Sequence, residues 1–216
     1  MRTYPICLIG LQERAAVVIG GGKVAARKVY GLLAADARVT VISPDVLPEL
    51  QALFQAGRIQ IIQRPYREGD LVGAFLAVVA TDDATINRAA WQEAVRQGCL
   101  VNVVDDPECS DFIVPAVLRR GELTIAVSTG GASPALARHL RRQLETWVGP
   151  EYGELAKLLA ELRPTLLATF ATEEQRQAAA ERLVQSSDML ERLKEQDYAA
   201  AIQYAQQLLA SQRDCA

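Results

Sequence analysis

The first half of the chain alternates short apolar runs with amphipathic segments. The apolar runs are rich in valine and isoleucine and too brief for helices, so they are predicted strands. Because apolar strands that alternate with helices form parallel sheets covered on both faces, this half predicts a Rossmann-type α/β fold. Asp82 or Asp83 is expected to cap the third helix, and Gly98 to end it. The predicted strands are 15–20, 38–43, 59–63, 74–80 and 100–104, and the predicted helices are 24–35, 48–57 and 85–97.

The pattern changes after residue 112. Two strand-like runs, 112–118 and 122–128, flank Arg119-Arg120-Gly121 and predict a hairpin. Ser133-Pro134 then predicts the start of a helix that runs to about Trp147, because serine caps a helix well and proline suits its first position. This middle segment is therefore a small α+β unit.

Beyond residue 151 the strand-like runs stop and leucines recur at helical spacing. This spacing predicts an all-helical C-terminal region of three or four helices, with Pro164 starting or kinking one of them. The changes in pattern divide the chain into three predicted parts, residues 1–112, 113–150 and 151–216.

Composition narrows the class of protein. The chain has 216 residues, of which 50 % are hydrophobic and 23 % are charged, as in ordinary globular proteins. Its net charge of −3 argues against a generally basic nucleic-acid binder. No apolar run is long enough for a membrane span, and no signal peptide is expected. The cysteines are scattered without a CxxC pair, which argues against a disulfide framework or a zinc site and fits the cytoplasm: Cys7, Cys99, Cys109 and Cys215.

The middle segment is basic, and all of its basic residues are arginines. The guanidinium group is a flat fork that binds carboxylates or phosphates with two hydrogen bonds. The alternative is a solvated helix face and a charged turn. The residues concerned are Arg119, Arg120, Arg138, Arg141 and Arg142.

A glycine motif follows the first predicted strand. Gly20-x-Gly22-x-x-Ala25 lies between that strand and a helix, the context in which such a motif binds a dinucleotide. The first glycine permits a tight turn, the second lets a pyrophosphate approach the backbone, and the third position allows close packing. Unpaired N–H groups at the start of the helix then face the phosphates. The alternative is a glycine-rich turn without a ligand.

The candidate cofactor residues cluster at the predicted carboxyl ends of the strands. NAD sites usually have an acidic residue at the tip of the second strand, and here Ser43 occupies that place with Asp45 two residues on. No arginine stands there to receive a 2′-phosphate, which favours NAD over NADP. The candidate cofactor-binding residues are Gly20, Gly22, Lys23, Val24, Ser43, Pro44, Asp45, Thr81 and Asp82.

Several stretches, in order over the first 140 residues or so, resemble the siroheme synthase family in its precorrin-2 dehydrogenase module. The last three are specific, because ordinary dinucleotide-binding domains lack the proline-containing strand pair and the GG-x-SP helix start. The helical remainder is similar to the family's dimerisation region in length and composition, and no methyltransferase domain is expected. The matching stretches are YPI at 4–6, VIGGGKVA at 18–25 with Arg27-Lys28, ATDD at 80–83, NVVD at 102–105, FIVPA at 112–116 and STGGASPALAR at 128–138.

The resemblance implies a reaction. Precorrin-2 would be oxidised to sirohydrochlorin with a hydride passed to NAD, in siroheme or cobalamin synthesis, and ferrous iron inserted afterwards in some relatives. The resemblance also implies a homodimer. Because the tetrapyrrole substrate bears eight carboxylates, at least one arginine of the middle segment is expected to contact it. With His139 as the single histidine, no metal site held by the protein itself is expected. The candidate substrate-binding residues are Asn102, Ser128, Thr129, Gly130, Arg119, Arg120 and Arg138.

Asp105 is the candidate catalytic residue. It ends the fifth predicted strand, where a carboxylate can take a proton from the macrocycle while the hydride leaves a neighbouring carbon. In the resembling family, an aspartate at the matching position is implicated in both oxidation and iron insertion. The alternatives are that Asp105 caps the following turn, or that Asp106 is the acid that matters.

Two other functions compete with the enzyme hypothesis. A non-enzymatic NAD-sensing regulatory domain would use a similar glycine loop without requiring Asp105. A structural dimer module would retain the loop without binding any nucleotide.

Overall fold

The computed structural model describes residues 3–213, and of their side chains those up to residue 210. Cys215 lies outside the described residues. The contacts divide the chain into two units, Met1–Val114 and Pro115–Ala216. The three-part division at residues 112 and 150 stays a prediction.

Within the described residues, the first unit contains one sheet of five parallel strands in the order β3-β2-β1-β4-β5. This confirms the predicted Rossmann-type fold. The strand order reverses between β1 and β4, and ligands of such sheets bind at the carboxyl ends of the strands flanking that point. The elements are β1 (Ala15–Ile19), α1 (Lys23–Leu33), β2 (Arg38–Ile42), α2 (Pro48–Gln55), β3 (Gln60–Ile62), β4 (Leu76–Val79), α3 (Ala84–Gln97) and β5 (Leu100–Val103).

Alternating strand residues build a core on each face of this sheet. Val18, Val41 and Val78 lie on the face that packs against apolar residues of α1 and α2. Ile19 and Val101 lie on the opposite face, in the core that includes residues of α3. Because both faces are buried, the two central strands β1 and β4 are apolar throughout instead of alternating with polar residues.

Helix α3 begins at an aspartate cap and ends at a glycine. The Asp83 carboxylate accepts hydrogen bonds from the backbone N–H groups of Thr85, at 2.8 Å, and Ile86, at 3.2 Å. Of the two predicted caps, Asp83 is therefore the one used. Gly98 ends the helix in the left-handed region, with φ 66°, which glycine adopts without strain.

Ser110 and Asp111, in the segment after β5, cover the outer edge of that strand. The Asp111 carboxylate accepts from the N–H of Val101 at 2.9 Å, while the Asp111 N–H donates to the Val101 carbonyl at 2.8 Å. The Ser110 hydroxyl accepts from the N–H of Val103 at 3.0 Å. These bonds satisfy backbone groups that an edge strand would otherwise expose.

The second unit contains a hairpin followed, in the described part of the chain, by five helices. The hairpin strands β6 (Ala116–Arg120) and β7 (Leu123–Val127) pair antiparallel, as predicted. The last four helices share an apolar core around Leu158, Leu183 and Met189, which confirms the all-helical C-terminal region. The helices are α4 (Pro134–Trp147), α5 (Glu151–Thr169), α6 (Glu173–Gln185), α7 (Ser187–Lys194) and α8 (Tyr198–Arg213).

Two local expectations for this unit were wrong, and one alternative of a third is excluded. Arg119 and Arg120 belong to β6 instead of the turn, because the pairing continues to Arg120 and Gly121 adopts φ 52°. Residues 112–115 are not part of the strand, and Pro115 has no N–H to donate to a ladder. Of the two alternatives for Pro164, a helix start is wrong because Pro164 lies inside α5, and a kink there stays a prediction.

The described part of the chain has no helix long and apolar enough to cross a membrane.

A buried carboxylate anchors the loop between β3 and β4. Glu93, on α3, is 1 % exposed and accepts hydrogen bonds from the Tyr66 hydroxyl and from the Leu71 N–H, the latter at 2.9 Å. Burial and the bond to Glu93 both raise the pKa of Tyr66, so the phenol stays protonated as the donor. Glu93 therefore fixes this loop to α3, because it is the acceptor for two of the loop's polar groups.

We expect Glu93→Ala to destabilise the first unit by about 3 kcal/mol, because the buried Leu71 N–H and the half-buried Tyr66 hydroxyl lose their acceptor. Urea unfolding followed by circular dichroism measures the change. Glu68→Ala is the matched control, since Glu68 forms an exposed ion pair with Arg96, and its unfolding midpoint should equal that of the wild type. Equal midpoints for both variants would contradict the anchoring role of Glu93.

Candidate functional site

The turn after β1 brings the backbone of β1 close to that of β4. Gly20 has φ 115°, and its N–H donates to the Ile42 carbonyl at 2.9 Å. A Cβ at Gly20 would lie 2.3 Å from the Ala80 carbonyl oxygen, closer than any side chain tolerates. The first glycine of the motif therefore permits the turn, as predicted from its position.

Gly21 is essential to the same turn, and the motif gave it no role. A Cβ at Gly21 would lie 2.0 Å from the Asp45 carbonyl oxygen. The Gly21 carbonyl also accepts from the N–H of Leu47 at 3.0 Å. Gly21 thus packs against the loop between β2 and α2, a contact between residues distant in sequence that motif spacing cannot reveal.

Gly22 differs from both neighbours because the space beside it is open. It is the N-cap of α1, it is exposed, and no described atom lies within 4 Å of a Cβ built there. No described side chain caps this helix end, so N–H groups of its first turn are available to an anion. Ala25 is fully buried, which fits close packing at the third position of the motif. Of the two remaining loop candidates, Lys23 is exposed and Val24 is half-buried.

The tip of β2 presents a carboxylate beside the glycine loop. Ser43 is 6 % exposed, and its hydroxyl donates to the Asp45 carbonyl at 2.6 Å. Pro44 and Asp45 are exposed. The Ser43 proton is therefore used inside the loop, and Asp45 is the acidic group that faces solvent. Binding of a ribose by these residues stays a prediction.

The tip of β4 is held by an amide that the sequence analysis missed. The Thr81 hydroxyl donates to the Asn87 side-chain carbonyl at 2.7 Å, and the Asn87 amide donates to the Thr81 backbone carbonyl at 3.1 Å. Asp82 is exposed beside them. Asn87 lies one turn into α3, at a spacing that carries no recognised motif.

Asp105 lies in a turn at the end of β5, with its side chain exposed. The N–H of Asp106 donates to the Val103 carbonyl at 3.2 Å and closes the turn, in which Asp105 has φ 60°. The capping role belongs to Asp106, whose carboxylate accepts from the N–H groups of Glu108 and Cys109. Asp105 accepts no such bond in the described chain. Its carboxylate is therefore available to a ligand.

Asn102 connects β5 to helix α1 and to the segment that leaves the sheet. It is 7 % exposed; its amide donates to the Phe112 carbonyl at 3.0 Å, and its side-chain oxygen accepts from Lys28 Nζ at 3.3 Å. Lys28 was part of a matching stretch but was not predicted to be a site residue. Burial lowers the pKa of Lys28, the nearby charge of Arg27 lowers it further, and the Asp105 carboxylate raises it.

The candidate residues of the second unit have mixed surroundings. Ser128 Oγ accepts from the Gly130 N–H at 3.2 Å, and Thr129 Oγ1 accepts from the Ser133 N–H at 2.9 Å, so both hydroxyls stabilise the turn before α4. The Arg120 guanidinium donates to the Val148 carbonyl at 3.0 Å, which gives it a structural role.

The arginines of α4 also differ from one another. Arg141 pairs with Glu145 one turn later on the same helix. Arg138 and Arg142 are exposed and lie one turn apart on α4. Arg119, on β6, is exposed as well. His139 is exposed as well, and the described residues contain no group of three or more potential metal ligands of the histidine, cysteine or acidic types. Contact of these arginines with a substrate stays a prediction.

Three family models match consecutive parts of the chain. A putative NAD(P)-binding model covers residues 7–116, a sirohaem biosynthesis central model covers residues 120–146, and a sirohaem synthase dimerisation region covers residues 151–209. Their order is the order of the sheet, the hairpin with α4, and the helical region.

Curated relatives and a solved structure agree with these models. The chain is 44 % identical over 176 residues to a siroheme synthase of Methylobacillus flagellatus, covering 82 % of this chain and 38 % of the relative. It is 39 % identical over 202 residues to siroheme synthase 1 of Aeromonas salmonicida, and the match covers 94 % of this chain and 43 % of that relative. The chain thus spans about two fifths of the length of these relatives. A solved structure, SirC, precorrin-2 dehydrogenase, superposes with a TM-score of 0.73 at 26 % identity, covering 94 % of this chain and all of that one.

We expect Gly22→Asp to fold with the wild-type melting temperature and to lose the rise in melting temperature that NAD causes. The open space at Gly22 accepts a side chain, whereas the added bulk and negative charge exclude a pyrophosphate. Thermal melting with and without NAD measures both effects. Normal NAD stabilisation of Gly22→Asp would contradict the assignment of the phosphate loop.

Gly21→Ala is the companion variant, because it makes a smaller change one residue away. Its Cβ would overlap the Asp45 carbonyl, so we expect a loss of about 2 kcal/mol in the free energy of unfolding, without any ligand present. An unchanged melting temperature would show that the β2–α2 loop moves aside easily.

Proposed function

The chain belongs to the siroheme synthase family, and from that premise we propose that it oxidises precorrin-2 to sirohydrochlorin and passes the hydride to NAD. The observation that carries the proposal is the pair formed by an open glycine loop at Gly22 and an uncapped carboxylate at Asp105, both at the carboxyl edge of one parallel sheet. The name of the structural neighbour, a precorrin-2 dehydrogenase, supports the same reaction.

The residues present suit a dinucleotide. Gly22 leaves room beside the backbone, the first turn of α1 offers N–H groups to the phosphates, and Asp45 offers a carboxylate for ribose hydroxyls. Thr81, held by Asn87, and Asp82 lie at the end of the adjacent strand. When bound, NAD supplies the hydride acceptor.

Asp105 is the group that we propose to move the proton. The oxidation removes one hydride and one proton from the macrocycle, and the Asp105 carboxylate accepts that proton as the carbon–hydrogen bond to the hydride breaks. Because Asp105 is exposed, it can release the proton to solvent before the next turnover. The division of labour with Asp106 keeps the base free, since Asp106 alone holds the turn.

We also propose which residues meet the substrate carboxylates. Arg138 and Arg142 occupy exposed positions four residues apart on α4, and Arg119 is exposed on β6. Ser128, Thr129 and Gly130 form the turn before α4. Arg120 is the weaker candidate because its Nε is bonded to the Val148 carbonyl.

Assembly, location and iron insertion belong to the proposal too. The dimerisation-region match over residues 151–209 supports a homodimer. The free, buried Cys99 and Cys109 suit a reducing cytoplasm.

Insertion of ferrous iron into sirohydrochlorin is proposed as a second reaction of the same site, with the macrocycle holding the iron and Asp105 accepting pyrrole protons. The rate with protein, compared with the metal-only background, tests this step.

Incubation with NAD and enzymatically made precorrin-2 tests the main reaction, with the absorbance of sirohydrochlorin as the readout. Binding of NAD without turnover would favour a non-enzymatic NAD-sensing domain. No stabilisation by NAD would favour a structural dimer module.

We expect Asp105→Asn to lower kcat for precorrin-2 oxidation about 100-fold or more, because the amide cannot accept the proton. Folding should be retained, since asparagine tolerates the φ of 60° found at this residue. The NAD dissociation constant should stay within about twofold of the wild-type value.

The matched control is Asp106→Asn, the same change one residue on. Its amide oxygen can still accept from the Glu108 and Cys109 N–H groups, so we expect wild-type turnover. Loss of turnover in Asp106→Asn with activity retained in Asp105→Asn would reverse the assignment.

A further inference from the structure

The ammonium group of Lys28 has no role in the proposed reaction. Lys28 lies on α1 and is half-buried. Its Nζ donates to Asn102 Oδ1 at 3.3 Å, and the Asn102 amide is itself fixed by its bond to the Phe112 carbonyl. A rigid partner thus holds the end of a long, otherwise flexible side chain.

The bonding of this ammonium is incomplete. An ammonium group has three N–H donors, and a neutral amide takes one of them. Among the described residues, no carboxylate lies within ion-pair distance of Lys28, although Asp105 is near enough to raise its pKa. Burial and the neighbouring Arg27 oppose the positive charge more strongly. A half-buried cation without a counter-anion costs free energy that a bound anion would recover.

The position of Lys28 Nζ indicates which anion it meets. It reaches Asn102 on β5, whereas the phosphate loop follows β1, and β4 lies between these strands. Two strand spacings correspond to about 10 Å. A pyrophosphate held at Gly22 would therefore lie on the other side of β4 from the Lys28–Asn102 pair. The reactive group near Lys28 is instead Asp105, whose carboxylate raises the pKa of Lys28 and which follows Asn102 by three residues.

We propose that Lys28 binds a carboxylate of the tetrapyrrole substrate beside Asp105. This inference rests on the proposed function, because it takes the substrate to be a macrocycle with many carboxylates. The two N–H donors without a partner among the described residues suit a carboxylate oxygen pair, and the bond to Asn102 fixes the direction in which they point. The contact would hold one edge of the macrocycle next to the base that removes its proton.

The test measures binding of sirohydrochlorin and NAD separately. Quenching of tryptophan fluorescence gives the dissociation constant of sirohydrochlorin, and the absorbance assay gives kcat and KM for precorrin-2. In Lys28→Met we expect the sirohydrochlorin dissociation constant and the precorrin-2 KM to rise about tenfold, with the NAD dissociation constant within about twofold of wild type. Lys28→Arg should stay within about threefold of wild type for all three, because it keeps the charge.

Arg27→Met is the matched control, since it removes one positive charge from the neighbouring, exposed position of the same helix. We expect its affinity for sirohydrochlorin to stay within about threefold of wild type. Equal weakening in Arg27→Met and Lys28→Met would overturn the inference, because the effect would then be that of general charge.

Other outcomes are equally decisive. Unchanged sirohydrochlorin binding by Lys28→Met overturns the contact, and a fall in kcat alone would assign Lys28 to positioning Asp105 instead. If Lys28→Met does not fold, Lys28→Gln serves, because its amide can still donate to Asn102 without a charge. If the wild type neither oxidises precorrin-2 nor binds sirohydrochlorin, the proposed function itself fails and the inference fails with it.

Thermal melting without any ligand separates a binding role from a structural one. If Lys28 serves a ligand, removal of its half-buried charge leaves the melting temperature of Lys28→Met equal to or above that of the wild type. A clear decrease, shared by Lys28→Gln, would indicate that Lys28 mainly stabilises the fold.

Discussion

Direct contact between backbones at the end of β1 is the constraint on which the site depends. Gly20 and Gly21 approach the Ala80 and Asp45 carbonyl oxygens so closely that no side chain fits at either residue. This contact draws the tips of β1, β2 and β4 together at the point where the strand order reverses. The first turn of α1 then opens toward the gap between them, and the adjacent Gly22 is left with room for a ligand.

The acidic residues at this edge divide structural and chemical tasks. Asp83 caps α3, Asp106 caps the turn after β5, and Asp111 pairs with the backbone of β5. Each of these carboxylates is occupied by backbone N–H groups. The carboxylates of Asp45 and Asp105 accept no such bond in the described chain, and both residues are exposed, one beside the glycine loop and one at the end of β5. Of these five aspartates, the two without a backbone partner are the ones proposed to meet a cofactor and a substrate.

Local signals in the sequence predicted the elements of the fold well. The apolar runs, the caps at Ser133 and Asp83, and the αL glycine at Gly98 are decided within a few residues, so their positions could be predicted. The strand assignment of Arg120 and the roles of Gly21, Asn87 and Lys28 depend on partners distant in sequence or on side-chain geometry. Such pairings are visible only after the chain has folded, and spacing alone therefore missed them.

The covering of β5 by Ser110 and Asp111 has a consequence for how copies of this chain can associate. Their side chains occupy the N–H groups of Val101 and Val103, and the Asp111 N–H occupies the Val101 carbonyl. A sheet with this border already filled cannot be lengthened there by a strand from another molecule. Contacts between copies of this chain must therefore use other surfaces, and aggregation by strand addition is blocked at this border.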